Sequence, residues 1–189
     1  MADLSVHVGS LALRNPVMPA SGCFSHEFGQ VFDLDRLGAL VTKSVTPKLR
    51  KGNPIPRVAE VSQGMLNSIG IPSKGIPHFV NEIVPLFRAY SSPLVASVSA
   101  DTVAEFADAA AALSVPGVAA IEANISCPNL EADGHAFAML PDTTHAAVSA
   151  IRKRTALPVW AKLTPNTGDI KAVAVAAERA GADAIVVAN

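Results

Sequence analysis

The sequence predicts an α/β fold in which parallel strands alternate with helices. Short apolar runs rich in β-branched residues are typical of strands that are buried on both faces of a sheet. Segments of helical length lie between the later runs, and this alternation indicates βαβ units with right-handed crossovers. The predicted strands are residues 17–20, 40–43, 94–98, 119–125, 159–163 and 184–187.

Three helices are predicted from the residues at their ends. The helix over 101–113 opens on Asp101, an acceptor for the first amide groups. The helix over 144–155 ends on three cations, which suit the negative end of the helix dipole. The helix over 169–183 begins with an acid and stops at Gly181, as helices with a left-handed C-cap do.

Two further segments complete the predicted organisation. Before the first strand, apolar runs flank Gly9 and Ser10, which predicts a β-hairpin with a two-residue turn. Residues 46–78 are rich in proline and glycine and form one long irregular segment. Long loops in compact domains are usually functional or disordered, and the run GMLNSIG at 64–70 favours function.

Composition excludes several functional classes. The 189 residues are 50% hydrophobic and 16% charged with a formal net charge of -1, which is typical of a soluble globular protein with no nucleic-acid partner. The apolar runs are far shorter than the ~20 residues of a membrane span, and the first residues lack the features of a signal peptide. Cys23 and Cys127 lie far apart in different contexts, which favours free thiols over a disulfide or a metal site. We therefore expect a cytoplasmic protein without a bound metal.

Polar and ionisable residues collect where the predicted strands end. Lys43 and Ser44 end the second strand, Asn124 the fourth and Lys162 the fifth. Enzymes built as (β/α)₈ TIM barrels place their active sites at the carboxyl ends of the strands. The pattern predicts one concave site of this kind. The further residues at these ends are Ala20, Ser21, Ser97, Ser99, Cys127 and Asn189.

Five motifs follow one another along the chain: NPVMPASGCF (15–24), VTKSVTPKLRKGNPIPRVAE (41–60), GMLNSIG (64–70), NISCPN (124–129) and AKLTPN (161–166). Together they resemble the motifs of class 1 dihydroorotate dehydrogenases, which are FMN-dependent enzymes of pyrimidine biosynthesis. The resemblance implies a TIM barrel that oxidises dihydroorotate to orotate. A complete barrel usually takes ~250 residues, so residues 1–189 are expected to form a single, incomplete FMN-binding domain that stops after about six strands.

The resemblance also implies roles for individual residues. Cys127 corresponds to the general base that removes a proton from C5 of dihydroorotate. The positions matching flavin-binding residues are Ala20, Ser21, Lys43, Ser44, Asn124 and Lys162. The positions matching substrate-binding residues are Lys43, Met65, Leu66, Asn67, Asn124, Asn129 and Asn189.

The residue types themselves allow structural as well as functional interpretations. A lone cysteine can be a buried small hydrophobe, but Cys127 stands among polar residues, and a thiol pKa of ~8.5 suits a base near neutral pH. A lysine that ends a core strand either reaches the rim or binds an anion. Asparagines on turns often cap their own backbone. For Lys43 and Lys162 the interpretation as anion-binding residues is favoured, because each follows the apolar residues of a predicted core strand.

Alternatives remain for the subfamily and for the reaction. The segment PRVAEVSQGMLNSIG (56–70) resembles the 1B subfamily, whose catalytic subunit works with an iron-sulfur and FAD subunit that passes electrons to NAD. The 1A form is a homodimer that uses fumarate. Another FMN barrel, such as a dihydropyrimidine dehydrogenase domain or a tRNA dihydrouridine synthase, would share the lysines. A non-catalytic fragment is the third alternative.

Overall fold

A computed structural model describes residues 2–126 and 136–187 of the chain. Its strands are β1 (Val6–Val8), β2 (Leu11–Leu13), β3 (Leu40–Val41), β4 (Val58–Val61), β5 (Gly64–Asn67), β6 (Leu94–Val98), β7 (Ala120–Asn124), β8 (Val159–Lys162) and β9 (Ala184–Val186). Its α-helices are α1 (Ile76–His78), α2 (Val84–Phe87), α3 (Val103–Leu113), α4 (Pro141–Arg152) and α5 (Ile170–Arg179).

The centre of the fold is a five-stranded parallel sheet in the order β3-β6-β7-β8-β9. Neighbouring strands in the sheet follow one another in this order along the chain, with helices between successive strands from β6 onwards. All five strands overlap runs that the sequence predicts as strands, and Leu94–Val98 matches its prediction end to end. Since every strand is parallel to its neighbours, the carboxyl ends of all five lie at one edge of the sheet.

The two faces of the sheet pack against different partners. Alternate residues of β7 divide between them, so that Ile121 and Ala123 join the core beneath the helices while Ala120 joins a second core. That second core contains Trp160 and Leu13, and the β1–β2 hairpin packs against it through partly buried apolar side chains. The sheet is therefore apolar on both faces near its amino-terminal edge, which leaves the carboxyl edge as the place for polar groups.

One predicted strand is absent and one predicted hairpin is present. Residues 17–20 form no strand, because Pro16 and Pro19 have no amide hydrogen to donate to a ladder. The Val17 carbonyl accepts a hydrogen bond from the Gly38 amide at 2.7 Å. The hairpin is confirmed, with β1 antiparallel to β2 and Gly9 at a φ of 60° in the turn.

The three long helices are confirmed, with shifted starts. Helix α3 is capped by Thr102 instead of Asp101, because the Thr102 hydroxyl accepts from the Glu105 amide at 3.0 Å. Helix α4 begins at Pro141. Proline fits the first turn of a helix because an amide hydrogen at that position would have no acceptor within the helix. Gly181, after α5, has a φ of 95° and ends that helix as expected.

The segment predicted to be irregular, residues 46–78, contains a two-stranded arm. Strands β4 and β5 pair antiparallel, and the pairing continues towards the sheet through Ser68 with Arg57 and through Ser73 with Arg50. Every residue of β4 and β5 is exposed. The sequence therefore has no pattern of buried apolar residues from which these strands could be predicted. After the arm, α1 and α2 flank a π-helical turn at Phe79–Ile83.

Candidate active site

Buried polar side chains lie together at the carboxyl edge of the sheet. The Asn124 Nδ2 group donates to the Ser44 hydroxyl at 2.8 Å, and the Ser44 and Ser97 hydroxyls are also 2.8 Å apart. These side chains come from three neighbouring strands or the turns that follow them, and each residue is less than a tenth exposed. The structure thus brings together Ser44 and Asn124, which the sequence places 80 positions apart.

Glu122 extends this group of hydrogen-bonded side chains and is not among the site residues predicted from the sequence. It is 3% exposed, and one of its carboxylate oxygens accepts a hydrogen bond from the Ser97 hydroxyl at 2.7 Å. The signal was present in the sequence, because Glu122 is the one charged residue of an otherwise uncharged strand and stands two residues before Asn124. In a strand, that spacing puts both side chains on the same face.

Lys162 connects the end of β8 to the segment before the first 3₁₀ turn. Its ammonium group donates to the Ser21 hydroxyl at 2.9 Å, across 141 positions of sequence. Ala20 precedes Ser21 and is exposed, and its carbonyl accepts from the Cys23 amide in a tight turn. The predicted flavin-binding residues Ala20, Ser21 and Lys162 therefore occupy one region.

Lys43 follows β3 and is exposed at the same edge. It lines a small apolar cavity of about 180 Å³ together with Phe24 and Phe79. Within residues 2–126 and 136–187, neither Lys43 nor Lys162 makes a salt bridge; the ion pairs there join Arg50, Arg152 and Arg154 to aspartates. Two lysines at one edge of the sheet with no carboxylate partner in the described part of the chain favour an anionic ligand.

The arm carries Met65, Leu66 and Asn67, three further residues predicted to bind substrate. All of them are exposed, with Met65 at 61% and Leu66 at 65%. The base of the arm is held at the carboxyl edge of the sheet, because Val45 pairs with Val98 and Arg50 forms an ion pair with Asp101 just after β6. The arm is therefore anchored beside the site, and these three side chains are exposed.

We expect Arg50→Ala to loosen the arm without unfolding the protein. The Arg50 and Asp101 side chains are about a third exposed, and ion pairs of this kind contribute at most ~1 kcal/mol. Limited proteolysis within residues 51–72 should become several-fold faster while the thermal midpoint stays nearly unchanged. Arg154→Ala, which removes a more exposed ion pair with Asp108 on the helices, is the matched control. Equal cleavage rates in the two variants would show that the Arg50 pair does not hold the arm.

Three predicted site residues lie outside the described part of the chain. They are Cys127, Asn129 and Asn189, and their predicted roles stay predictions. Ser126, which precedes Cys127, is described, and its hydroxyl donates to Asn124 Oδ1 at 2.6 Å. In the sequence, Cys127 therefore comes directly after a residue of the hydrogen-bonded polar group at the edge of the sheet.

The described site suits an anionic organic ligand. It offers two lysines, asparagine and serine donors and small residues, and Ser99, 1% exposed at the end of β6, has no hydrogen-bond partner for its hydroxyl among the described residues. No three histidine, cysteine or acidic side chains among residues 2–126 and 136–187 group in a way that could hold a metal. Parallel βα units with such an edge define the class of (β/α)-barrel proteins that bind ligands at the carboxyl ends of their strands.

Comparison with known proteins identifies the particular family. The family model described as dihydroorotate dehydrogenase matches residues 3–189, and the chain belongs to this family. It is 42% identical over 192 residues to the dihydroorotate dehydrogenase B (NAD(+)) catalytic subunit of Listeria monocytogenes serotype 4b, covering 100% of this chain and 63% of the relative. It is 45% identical over 188 residues to the subunit of the same name from Desulforudis audaxviator, covering 98% of this chain and 61% of that one.

A solved structure shows the same fold. The crystal structure of the DHODH of Eimeria tenella in complex with ferulenol superposes with a TM-score of 0.77, at 19% sequence identity, over 99% of this chain and 59% of that chain. The predicted barrel fold is confirmed in the form of an open, curved part of a TIM barrel. The chain spans 61 to 63% of the length of these curated relatives. Among the described helices, none has the length and apolar character that crossing a bilayer requires.

Proposed function

We propose that this protein oxidises dihydroorotate to orotate with bound FMN, as a step of pyrimidine biosynthesis. The observation that carries the proposal is the polar carboxyl edge of the sheet, where Lys43 and Lys162 have no carboxylate partner among the described residues and where Asn124 and Ser44 form a buried pair. The substrate has a carboxylate and ring amides, and the site offers cations and amide groups that match them. Membership of the dihydroorotate dehydrogenase family supports the same reaction.

The residues of the chain supply binding, orientation and proton removal. Cys127 would take the proton from C5 as the C5–C6 double bond forms, and Asn129 and Asn189 would bind the substrate with Asn67 and Asn124. Met65 and Leu66, on the same arm as Asn67, would contact it as well. FMN held by these residues would supply an acceptor for the hydride that leaves C6. A fixed cation stabilises charge that develops in a reaction without having to reorganise.

The groups that would hold FMN are compatible with its chemistry. Lys162 and Lys43 provide positive charge, Ser44 and Asn124 provide polar contacts, and the segment containing Ala20 and Ser21 is small enough for close approach to its backbone. The Lys162–Ser21 hydrogen bond is evidence that this segment and the end of β8 act together. The Ser99 hydroxyl, which has no hydrogen-bond partner among the described residues, is a further polar group at this edge and a candidate neighbour of the flavin.

A substrate panel separates the proposal from other flavin barrels. The flavin-loaded protein should bind orotate and be reduced by dihydroorotate, with little reduction by dihydrouracil or by dihydrouridine in RNA. Dihydrouracil lacks the carboxylate that the two lysines are expected to match, so the selectivity should fall when the salt concentration rises. Faster reduction by dihydrouracil or by dihydrouridine would replace the proposal with a different dehydrogenase or synthase activity.

We further propose an electron-transfer partner that contains an iron-sulfur cluster and FAD and passes electrons to NAD. The support is the printed name of the relatives, dihydroorotate dehydrogenase B (NAD(+)), catalytic subunit. Dihydroorotate-dependent formation of NADH should require both subunits. Rapid reoxidation of the flavin by fumarate in the absence of a partner would instead indicate the 1A type. A cytoplasmic location, expected from the sequence, is part of the same proposal.

A further inference from the structure

A continuous chain of side-chain hydrogen bonds crosses three strands beneath the site. Ser126 donates to Asn124 at 2.6 Å, Asn124 donates to Ser44 at 2.8 Å, Ser44 and Ser97 are 2.8 Å apart, and Ser97 donates to Glu122 at 2.7 Å. Four of the five residues are less than a tenth exposed, and Ser126 is partly buried. All the bonds are within normal hydrogen-bond distance. The chain thus joins a residue predicted to contact both flavin and substrate to a buried carboxyl group.

The chemistry of the two ends dictates the direction of the chain. The Ser97 hydroxyl donates to a carboxyl oxygen of Glu122, and a serine hydroxyl has a single proton to donate. Because the Ser97 proton goes to Glu122, Ser97 accepts from Ser44, whose own proton is then committed. The Ser44 hydroxyl can therefore only accept a hydrogen bond from Asn124. The amide group that faces it must be the donor, the NH₂ group. The carboxylate therefore fixes which end of that amide is the donor.

We propose that Glu122 is a positioning residue for the active site. It does not touch the substrate; it acts through Ser97 and Ser44 to hold the Asn124 amide in one of its two orientations. The consequence for ligand binding rests on the proposed function, since orotate is expected to meet this amide. Rotating the Asn124 amide group by half a turn exchanges its NH₂ donor and its C=O acceptor. The two ends have nearly the same size, so the shape of the pocket does not select the orientation by itself.

Glu122→Gln tests the proposal with little change in volume. A glutamine side chain can either accept from Ser97 or donate to it, so it no longer dictates the direction of the chain. Orotate should bind the flavin-loaded Glu122→Gln protein about tenfold more weakly, because a mismatched buried polar group loses a hydrogen bond. Ser44→Ala interrupts the chain and should weaken orotate to a similar extent. Ser92→Ala, at another buried serine whose hydroxyl bonds to the Leu37 carbonyl, is the control and should bind orotate normally.

The double variant distinguishes action through the chain from a local structural effect. Ser97 separates Glu122 from Ser44. If the two substitutions acted independently, their fold-changes in the dissociation constant of orotate should multiply in the double variant. If Glu122 acts through the chain, the double variant should bind orotate no more weakly than Ser44→Ala alone. Multiplying effects, or wild-type affinity in Glu122→Gln, would overturn the proposal.

A ligand-free measurement separates this proposal from the proposed function. The side-chain ¹⁵N–¹H signals of Asn124, assigned by their loss in Asn124→Ser, should shift in Glu122→Gln and stay in place in Ser92→Ala. If the wild-type protein does not bind orotate, the proposed function fails, and the Asn124 signals decide on Glu122 alone. Unshifted signals in Glu122→Gln would show that the carboxylate does not control the amide.

Discussion

Replacing Cys127 with serine should slow flavin reduction by dihydroorotate by about 10²–10⁴-fold at neutral pH, the usual contribution of a general base. A serine hydroxyl is far less acidic than a thiol of pKa ~8.5, so the reactive ionised form is almost absent in the variant. The rate of the variant should rise steeply with pH. Orotate affinity should change little, because the substitution exchanges one small polar atom for another and leaves the neighbouring asparagines intact.

Cys23→Ser is the matched control for this experiment. Cys23 is an exposed free cysteine near Ser21, and it carries no predicted role. Anaerobic single-turnover mixing isolates the reductive step from product release and from any partner subunit. A Cys127→Ser protein that reduces its flavin as fast as wild type and as fast as Cys23→Ser would refute the assignment of Cys127 as the base.

Replacing Lys162 with alanine should weaken FMN binding by about ten- to hundredfold, the range expected when a hydrogen bond to a charged group is lost. The Lys162 ammonium group lies at the end of β8, is tied to Ser21 at 2.9 Å and has no carboxylate partner among the described residues. Its removal takes positive charge from the site and frees the Ser21 segment. The dissociation constant of FMN is measured by quenching of flavin fluorescence on titration with apoprotein.

Lys171→Ala is the appropriate control for Lys162→Ala. Lys171 is exposed in the first turn of α5, it is not among the residues predicted to bind flavin, and its removal changes the net charge by the same amount. If both variants lose FMN affinity equally, the effect is one of overall charge and Lys162 has no special place in the site. A Lys162→Ala protein that retains FMN as wild type does would contradict its assignment as a flavin ligand.

The sequence predicted those parts of the fold that depend on local, repetitive signals. The apolar runs of β6 to β9 identify strands of the central sheet, and Gly9 and Gly181 mark turns that need a positive φ. The residues at 17–20 carry the same apolar signal but form no strand, because neighbouring prolines remove the ladder donors. Apolar pattern alone therefore overestimates strands where proline interrupts the hydrogen bonding.

Features that arise from long-range contacts were beyond the reach of sequence patterns. The β4–β5 arm is exposed on both faces and has no alternation to reveal it. Lys43 and Lys162 could be placed at strand ends, but the Lys162–Ser21 bond spans 141 positions. The charge of Glu122 is visible in the sequence, but its hydrogen bond with Ser97 exists only because the fold pairs β6 with β7.

Anaerobic mixing of the flavin-loaded wild-type protein with dihydroorotate tests the central claim most directly. The account predicts rapid loss of the visible flavin absorbance and formation of one orotate per flavin, with neither NAD nor a partner subunit present. Unchanged absorbance with a fully loaded flavin, at dihydroorotate concentrations that saturate binding, would contradict the claim that this site oxidises dihydroorotate.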